Sequence, residues 1–328
     1  MIAPLSQRVK LLSTRWVSSV SLILSAYLGG FASPQEAPAA ASHSEVRVAP
    51  VRQLPDAMPA DVLEDMVSTR NLVGMPSLVW NRKVLTVAFD GGSDVLYQLI
   101  EQTASEWTSH GGELRFSFRT QDGKFRHWSA QDIAPAAAIR VSFRTDPDHN
   151  GYWSAVGRLA ENLAANRPTL NLDGFPQKAA AYVSGHNASG WAVSYEHSVV
   201  LHEFGHTLGL AHEHFHPECQ ADLKLEMAVA SLKKPPNQWP NDVARFNMDA
   251  VYYFSVTSAD AGANGAKPVF SAHIDHASVM LYGFSDDFYK SGAASPCKPA
   301  DSRGFATTLS ASDIQFYLDK YTHIVTPY

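Results

Sequence analysis

Cysteine is nearly absent: Cys219 and Cys297 are the only two among 328 residues, so the chain can close one disulfide at most. Basic blocks are missing too. The 26 Lys and Arg are outweighed by 32 Asp and Glu, for a net charge of −6, and no cluster of them would track a phosphate backbone or an anionic membrane. Composition therefore excludes nucleic acid as a partner. Long apolar runs are also lacking: "WVSSVSLILSAYLGGFA" at 16–32 is short for a bilayer span. No internal repeat is visible. What is there, 45% hydrophobic and 18% charged residues, fits an ordinary globular protein and not a disordered one.

The early apolar run follows Arg8, Lys10 and Arg15 and ends among small residues such as Gly30 and Ala32, the pattern of a secretory signal peptide over residues 1–32. Its removal takes away three positive and no negative charges, turning −6 into −9. No cysteine follows the run to carry a lipid, so a secreted, extracellular protein with no stable membrane association is expected after signal cleavage. An oxidising compartment favours pairing of Cys219 with Cys297. Residues 33–78 begin rich in Ala, Pro and Ser without sustained periodicity and are expected to form a pro-segment or linker. Residues 79–328 are left as a single folded domain.

In that domain "VLTVAF" (84–89), "LRFSFR" (114–119) and "IRVSFR" (139–144) predict strands, and "DVLYQLIEQTASEWTSH" (94–110) has apolar residues at helical spacing. Strand, helix, strand implies an α/β half with a largely parallel sheet. "TLNL" (169–172) reads as an edge strand. "LSASDIQFYLDKY" (309–321) predicts a helix capped by Ser310 or Ser312, with Ile314, Tyr317 and Leu318 on one face.

The densest chemistry lies in "HEFGHTLGLAHEHFH" (202–216). On a helix His202 and His206 project from one face, one turn apart, and both imidazoles can reach a single ion. Val200, Leu201, Phe204 and Leu208 fall on the other side and face a core. His212, six residues past His206, points away on a continuing helix. Gly209 tolerates the left-handed backbone that ends the helix and lets His212 return as a third ligand. Three nitrogens with an open side are what a catalytic Zn2+ needs. Glu203, between the two helical histidines, is placed to take a proton from a zinc-bound water near neutrality and pass it to a leaving amine. His214 and His216 follow too closely to bind the same ion and read as rim residues. His186, His197, His273 and His276 are scattered and read as structural or solvated.

"HEFGHTLGLAH" resembles the zinc signature of metzincin peptidases, and three further stretches, in the family's order, are similar to its astacin-like branch: "GYWSAVGR" (151–158), "HASVMLYGF" (276–284) and the closing "LSASDIQFYLDKY". The resemblance implies a zincin-like α+β catalytic domain over 79–328, with a mostly parallel twisted sheet, an active-site helix and an irregular C-terminal subdomain. It also implies roles. His202, His206 and His212 would hold zinc, with Glu203 as the base, Met280 as the floor under the metal, and Tyr282 as a phenol that stabilises the oxyanion. Glu213 would pair with the mature N-terminus. The chain departs from the family where cysteines would stand: Tyr152 and Phe175 would replace a disulfide by an aromatic pair. Leu281 replaces a histidine that is not a ligand, and "FHPEC" replaces the usual arginine after the third ligand. No switch cysteine precedes the domain, although Asp61 or Asp65 could occupy the metal in a latent form.

The reading that follows is a secreted zinc endopeptidase acting on proteins or peptides, with the substrate antiparallel to the edge strand near "TLNL". The alternative is a secreted zinc-binding module that keeps the peptidase fold without proteolysis. A metal-dependent hydrolase of another substrate class is a second rival, for which no sugar, lipid or nucleotide signature is seen. Oligomeric state is left open.

Overall fold

In the computed structural model, which describes residues 58–68, 78–146, 151–185, 187–235, 237–257, 270–281 and 283–325, a nine-residue helix, α1 (Ala60–Ser68), precedes a six-stranded sheet. The proposed signal peptide lies outside the described residues, as do the start of the proposed pro-segment and Tyr282. β1 (Val84–Asp90) is central because it is apolar on both faces: Leu85, Val87, Ala88 and Phe89 are all buried. It pairs in parallel with β2 (Arg115–Ser117), β3 (Arg126–His127) and β4 (Ile139–Ser142). β6 (Leu170–Leu172) adds in parallel to β4, and β5 (Tyr152–Ser154) closes the sheet antiparallel to β6.

The expected strands and the mostly parallel sheet are therefore present, but "TLNL" is not the edge. It forms β6, an inner strand, and the edge on that side is β5 in "GYWSAVGR". After β5 the chain turns through a 3-10 segment (Gly157–Asn162) and inserts β6 between β4 and β5. A short run that is buried throughout looks the same at an edge or in the middle, so its pattern carried no sign of this order.

Arg140 on β4 is buried yet fully engaged: its guanidinium donates to the carbonyls of Arg167, Ala137, Leu163 and Ala164 at 2.6 to 3.2 Å. Burial lowers its pKa to about 10, which leaves it protonated at neutral pH. It ties the β5–β6 connection to the sheet.

α2 (Asp94–Thr108) begins at Ser93, whose hydroxyl accepts from Leu96 N, and packs its apolar stripe on the sheet and on the central helix α6 (Tyr195–Thr207). Trp107 is buried and donates through Nε1 to Leu201 O at 2.9 Å, which locks the two helices in register. Three short helices, α3 (Phe175–Lys178), α4 (Ala180–Gly185) and α5 (Ala188–Ala192), lead from β6 into α6.

Beyond α6 the described residues are short helices and loops: α7 (Pro217–Asp222), α8 (Leu225–Leu232), α9 (Asn241–Met248), α10 (Ala250–Thr257) and the closing α11 (Ala311–Tyr321). Cys219 and Cys297 form the expected disulfide. Of the two candidate caps for α11 it is Ser310 that serves, in a capping box with Asp313. α1 packs on the 157–162 segment and on α9, burying Val62 and Leu63. No helix among the described residues is long and apolar enough to cross a membrane.

Candidate metal centre

α6 starts where Ser194 accepts a bond from His197 N, and every residue from His197 to Thr207 is buried. It ends at Thr207, and Gly209 has φ +96°, the left-handed turn expected of it. Two carbonyls at this terminus are taken by aromatic donors from opposite ends of the domain: Trp80 Nε1 donates to Thr207 O at 2.7 Å and Tyr321 OH to Leu208 O at 2.7 Å. The helix end is thus fixed before any side chain reaches the site.

The turn brings the three histidines together. His206 Nε2 lies 3.2 Å from His202 Nε2 and 3.1 Å from His212 Nε2, and the three ligand atoms fall within 4.8 Å of one another. Their protonation follows from their outer bonds. His202 Nδ1 meets Val279 O at 2.7 Å and His206 Nδ1 meets Leu210 O at 2.8 Å; a carbonyl only accepts, so each Nδ1 carries the proton. In the neutral rings both Nε2 atoms then present lone pairs to each other. Two lone pairs cannot hydrogen-bond, but two nitrogens bound tetrahedrally to one zinc at about 2.0–2.1 Å stand about 3.3 Å apart. The residues present fit that ion in donor type and spacing. It is the one such group of possible metal ligands among the described residues.

Glu203 is fully buried on α6, the helix that carries His202 and His206 and packs on β5. Thr207, on the same face one turn on, shares a 3.1 Å hydrogen bond with Ser154 of β5. Tyr152 of β5 lies within the field of that helix: burial first, then the charges of Tyr195, Asp173, Glu196 and Glu203, raise the pKa of its phenol. α6 thus carries the buried carboxylate and two of the three clustered imidazoles, and packs on the edge strand.

Met280, the residue that the resemblance implied as a floor under the metal, packs against α6 at Gly205, which makes room for it. A Cβ on Gly205 would stand 2.4 Å from Met280 Sδ and 3.0 Å from Trp107. Gly205 went unnoticed in the sequence, because a glycine inside a helix reads as a weak helix former until its neighbour is known. Asp313 was missed for the same reason. It accepts from Val279 N at 3.1 Å and Ser278 Oγ at 2.7 Å, so the start of α11 holds the residue whose carbonyl orients His202. Burial raises the pKa of Asp313 while those bonds oppose the shift.

Other expectations fare differently. Tyr152 and Phe175 do pair edge to face, their centroids 5.7 Å apart. Glu213 accepts from Asp275 N at 2.7 Å, and burial, against that bond, pushes its carboxyl up to about 7. Asp61 does not approach the histidines but pairs with Arg167 at 2.6 Å; the side chain of Asp65 lies outside the described residues. His214 and His216 are not rim residues: both are buried, His214 Nε2 bonding Asn247 O at 2.7 Å and His216 Nε2 bonding Ser271 O at 3.1 Å. Their carbonyl partners lie more than thirty residues away, beyond the reach of local pattern. His197 is structural, bonded to Glu106 at 2.9 Å; His273 and His276 are exposed, and His186 lies outside the described residues.

No protein-family model matches the chain. Zinc metalloproteinase nas-24 of Caenorhabditis elegans is 25% identical over 140 residues, 42% of this chain and 33% of that protein, so the chain matches only a third of its curated relative's length. A solved structure of myroilysin superposes with a TM-score of 0.52 at 24% identity, covering 75% of this chain and 96% of that one. High choriolytic enzyme 1, a hatching enzyme zinc-protease from the medaka fish Oryzias latipes, gives a TM-score of 0.37 at 14% identity over 75% of this chain and 94% of its own. The α+β architecture, with its mostly parallel sheet and irregular C-terminal half, is thus the fold of myroilysin. In its motifs, their order and its curated match, the chain resembles the astacin-like zinc metallopeptidases.

Proposed function

We propose that this chain is a zinc-dependent endopeptidase, exported from the cell, that hydrolyses peptide bonds in proteins. The observation that carries the reading is the convergence of the His202, His206 and His212 Nε2 atoms, two of them held as lone-pair donors by Nδ1–H bonds to carbonyls. Those three side chains would hold the metal. When bound there, zinc supplies Lewis acidity that brings the pKa of water down to about 7. Glu203, between the two helical histidines in the sequence, takes a proton from the attacking water on its carboxylate and returns it to the leaving amine. Tyr282, two residues after Met280 in the sequence, donates its phenol hydrogen to the oxyanion. An extended substrate pairs main chain to main chain with β5, the edge strand packed on α6. Export rests on the basic and then apolar start of the sequence.

The test is cleavage of casein or gelatin, alongside ester and glycan substrates, with and without a chelator. Glu203→Ala is expected to keep zinc and to lose protein cleavage by about a hundred-fold or more. Zinc-dependent cleavage that survives this change removes Glu203 as the base. A wild-type protein that binds zinc and cleaves nothing favours the binding-module alternative. If Tyr282→Phe leaves kcat intact, the oxyanion role of Tyr282 is wrong.

A further inference from the structure

His202 and His206 share a rigid helix, but His212 does not. It sits past Gly209 on non-helical backbone, with φ −64° and ψ 137°, at the head of a 3-10 turn (Glu213–Phe215). Something other than helix geometry has to aim its ring. The backbone is pinned on one side, where Glu213 N donates to Met280 O at 3.0 Å. The ring itself lies flat against His214: the centroids are 4.8 Å apart and the planes 16° from parallel. Phe215 meets the His212 ring edge-on at 5.1 Å.

His214 is in turn fixed from outside the motif. It is buried, with 1% of its surface exposed, and its Nε2 donates to Asn247 O at the C-terminal end of α9, 2.7 Å away. The acceptor is a carbonyl, so the proton is on Nε2. Phe284, just past the Met280 turn, meets the His214 ring edge-on at 5.2 Å. Gln220 Nε2 spans His214 O and Met248 O at 3.0 and 3.1 Å, which binds the 3-10 turn to the same end of α9. A rigid plate is thus built against one face of the third imidazole.

We infer that His214 is a positioning residue: its ring, clamped by the α9 carbonyl, sets the orientation of the His212 imidazole and so the fit of the site to a metal ion. The inference rests on the zinc-site reading above. A stacked plate restricts ring rotation about χ2, and losing it lets His212 swing away from the common point, whereas a residue that only filled space would leave the metal geometry alone. Removing groups that orient a metal ligand typically weakens metal binding about ten- to a hundred-fold.

The test uses the full chain in three forms: wild type, His214→Ala and His214→Phe. Zinc affinity is measured by competition with a chromophoric chelator, the site geometry by the visible absorption of the cobalt(II)-loaded protein, and the folded fraction by circular dichroism. His214→Ala is expected to bind zinc about ten- to a hundred-fold more weakly and to shift the cobalt bands. His214→Phe, which restores a flat ring without the N–H, is expected to recover most of the affinity and the wild-type bands despite a lower Tm. Should His214→Ala fail to fold, His214→Gln, which keeps an N–H for Asn247 O but no ring, takes its place with the same expectation. A ring-less variant with wild-type affinity and spectrum overturns the inference alone. A wild type that takes up no zinc overturns it together with the zinc site.

Discussion

The two halves on either side of α6 are held together by different physics. Before α6, the segments meet through a parallel ladder whose inner strands β4 and β6 are buried on both faces, and a single apolar stripe on α2 packs on the sheet. After α6, the described residues join through scattered single ties: isolated main-chain bonds, such as Lys224 N to Phe288 O at 2.8 Å and Lys290 N to Asp222 O at 2.7 Å, together with side-chain bonds. Asp222 accepts from Ser291 N, Ser291 Oγ and Ser295 Oγ at 2.7 to 2.9 Å, Lys290 Nζ donates to Ala221 O at 2.6 Å, and Cys219 is bonded to Cys297. The first half is rigid by repetition, the second by individual ties. The candidate metal centre draws on the shared helix and the second half: His202 and His206 from α6, His212 from the segment after it, and the outer carbonyl partners of the two helical histidines, Val279 and Leu210, both beyond α6.

If that contrast is right, the largest effect should come from Trp107→Ala. The indole is fully buried between α2 and α6, and its loss is expected to cost about 3–5 kcal/mol in urea denaturation. Amide exchange should accelerate in α2 and α6 together. Protection retained in α6 would mean that the helix does not depend on the sheet half.

Next is Cys219→Ser with Cys297→Ser, expected to cost about 2–4 kcal/mol. Exchange should quicken over 217–232 and 286–300 while β1 and β4 amides keep their protection. An equal loss in β1 would merge the two halves into one cooperative unit.

The smallest change is Asp61→Ala. Its ion pair with Arg167 joins α1 to the sheet half, but the Asp61 side chain is 54% exposed, so solvent screens it. A loss of no more than about 1 kcal/mol is expected, read as a small fall in Tm. A larger fall would make α1 a third structural unit and not an appendage packed through Val62 and Leu63.

Much of the site could be read in the sequence because it is local. His202 and His206 are tied by helical spacing, Gly209 announces its own turn, and Glu203 has its place between them. What escaped reading depends on partners far along the chain. Gly205 matters only because Met280 lies under it, and His214 and His216 look like surface residues until the carbonyls of Asn247 and Ser271 are seen to meet them. "TLNL" was misplaced at the edge because strand order is set by connections, and a buried triplet has the same composition wherever it is inserted.

By itself the sequence determined the kinds of element and the grouping of His202, His206 and His212: period fixes helix or strand, and imidazoles four apart with a glycine break have few other geometries. Tertiary structure alone decided which strand forms the rim and which nitrogen of each anchored histidine keeps its proton. It also decided that the His212 ring is backed by the His214 ring, itself bonded to a carbonyl of α9. Those outcomes rest on carbonyls and side chains brought together across dozens of residues, and hydrogen bonds of that kind leave no periodic trace in the chain.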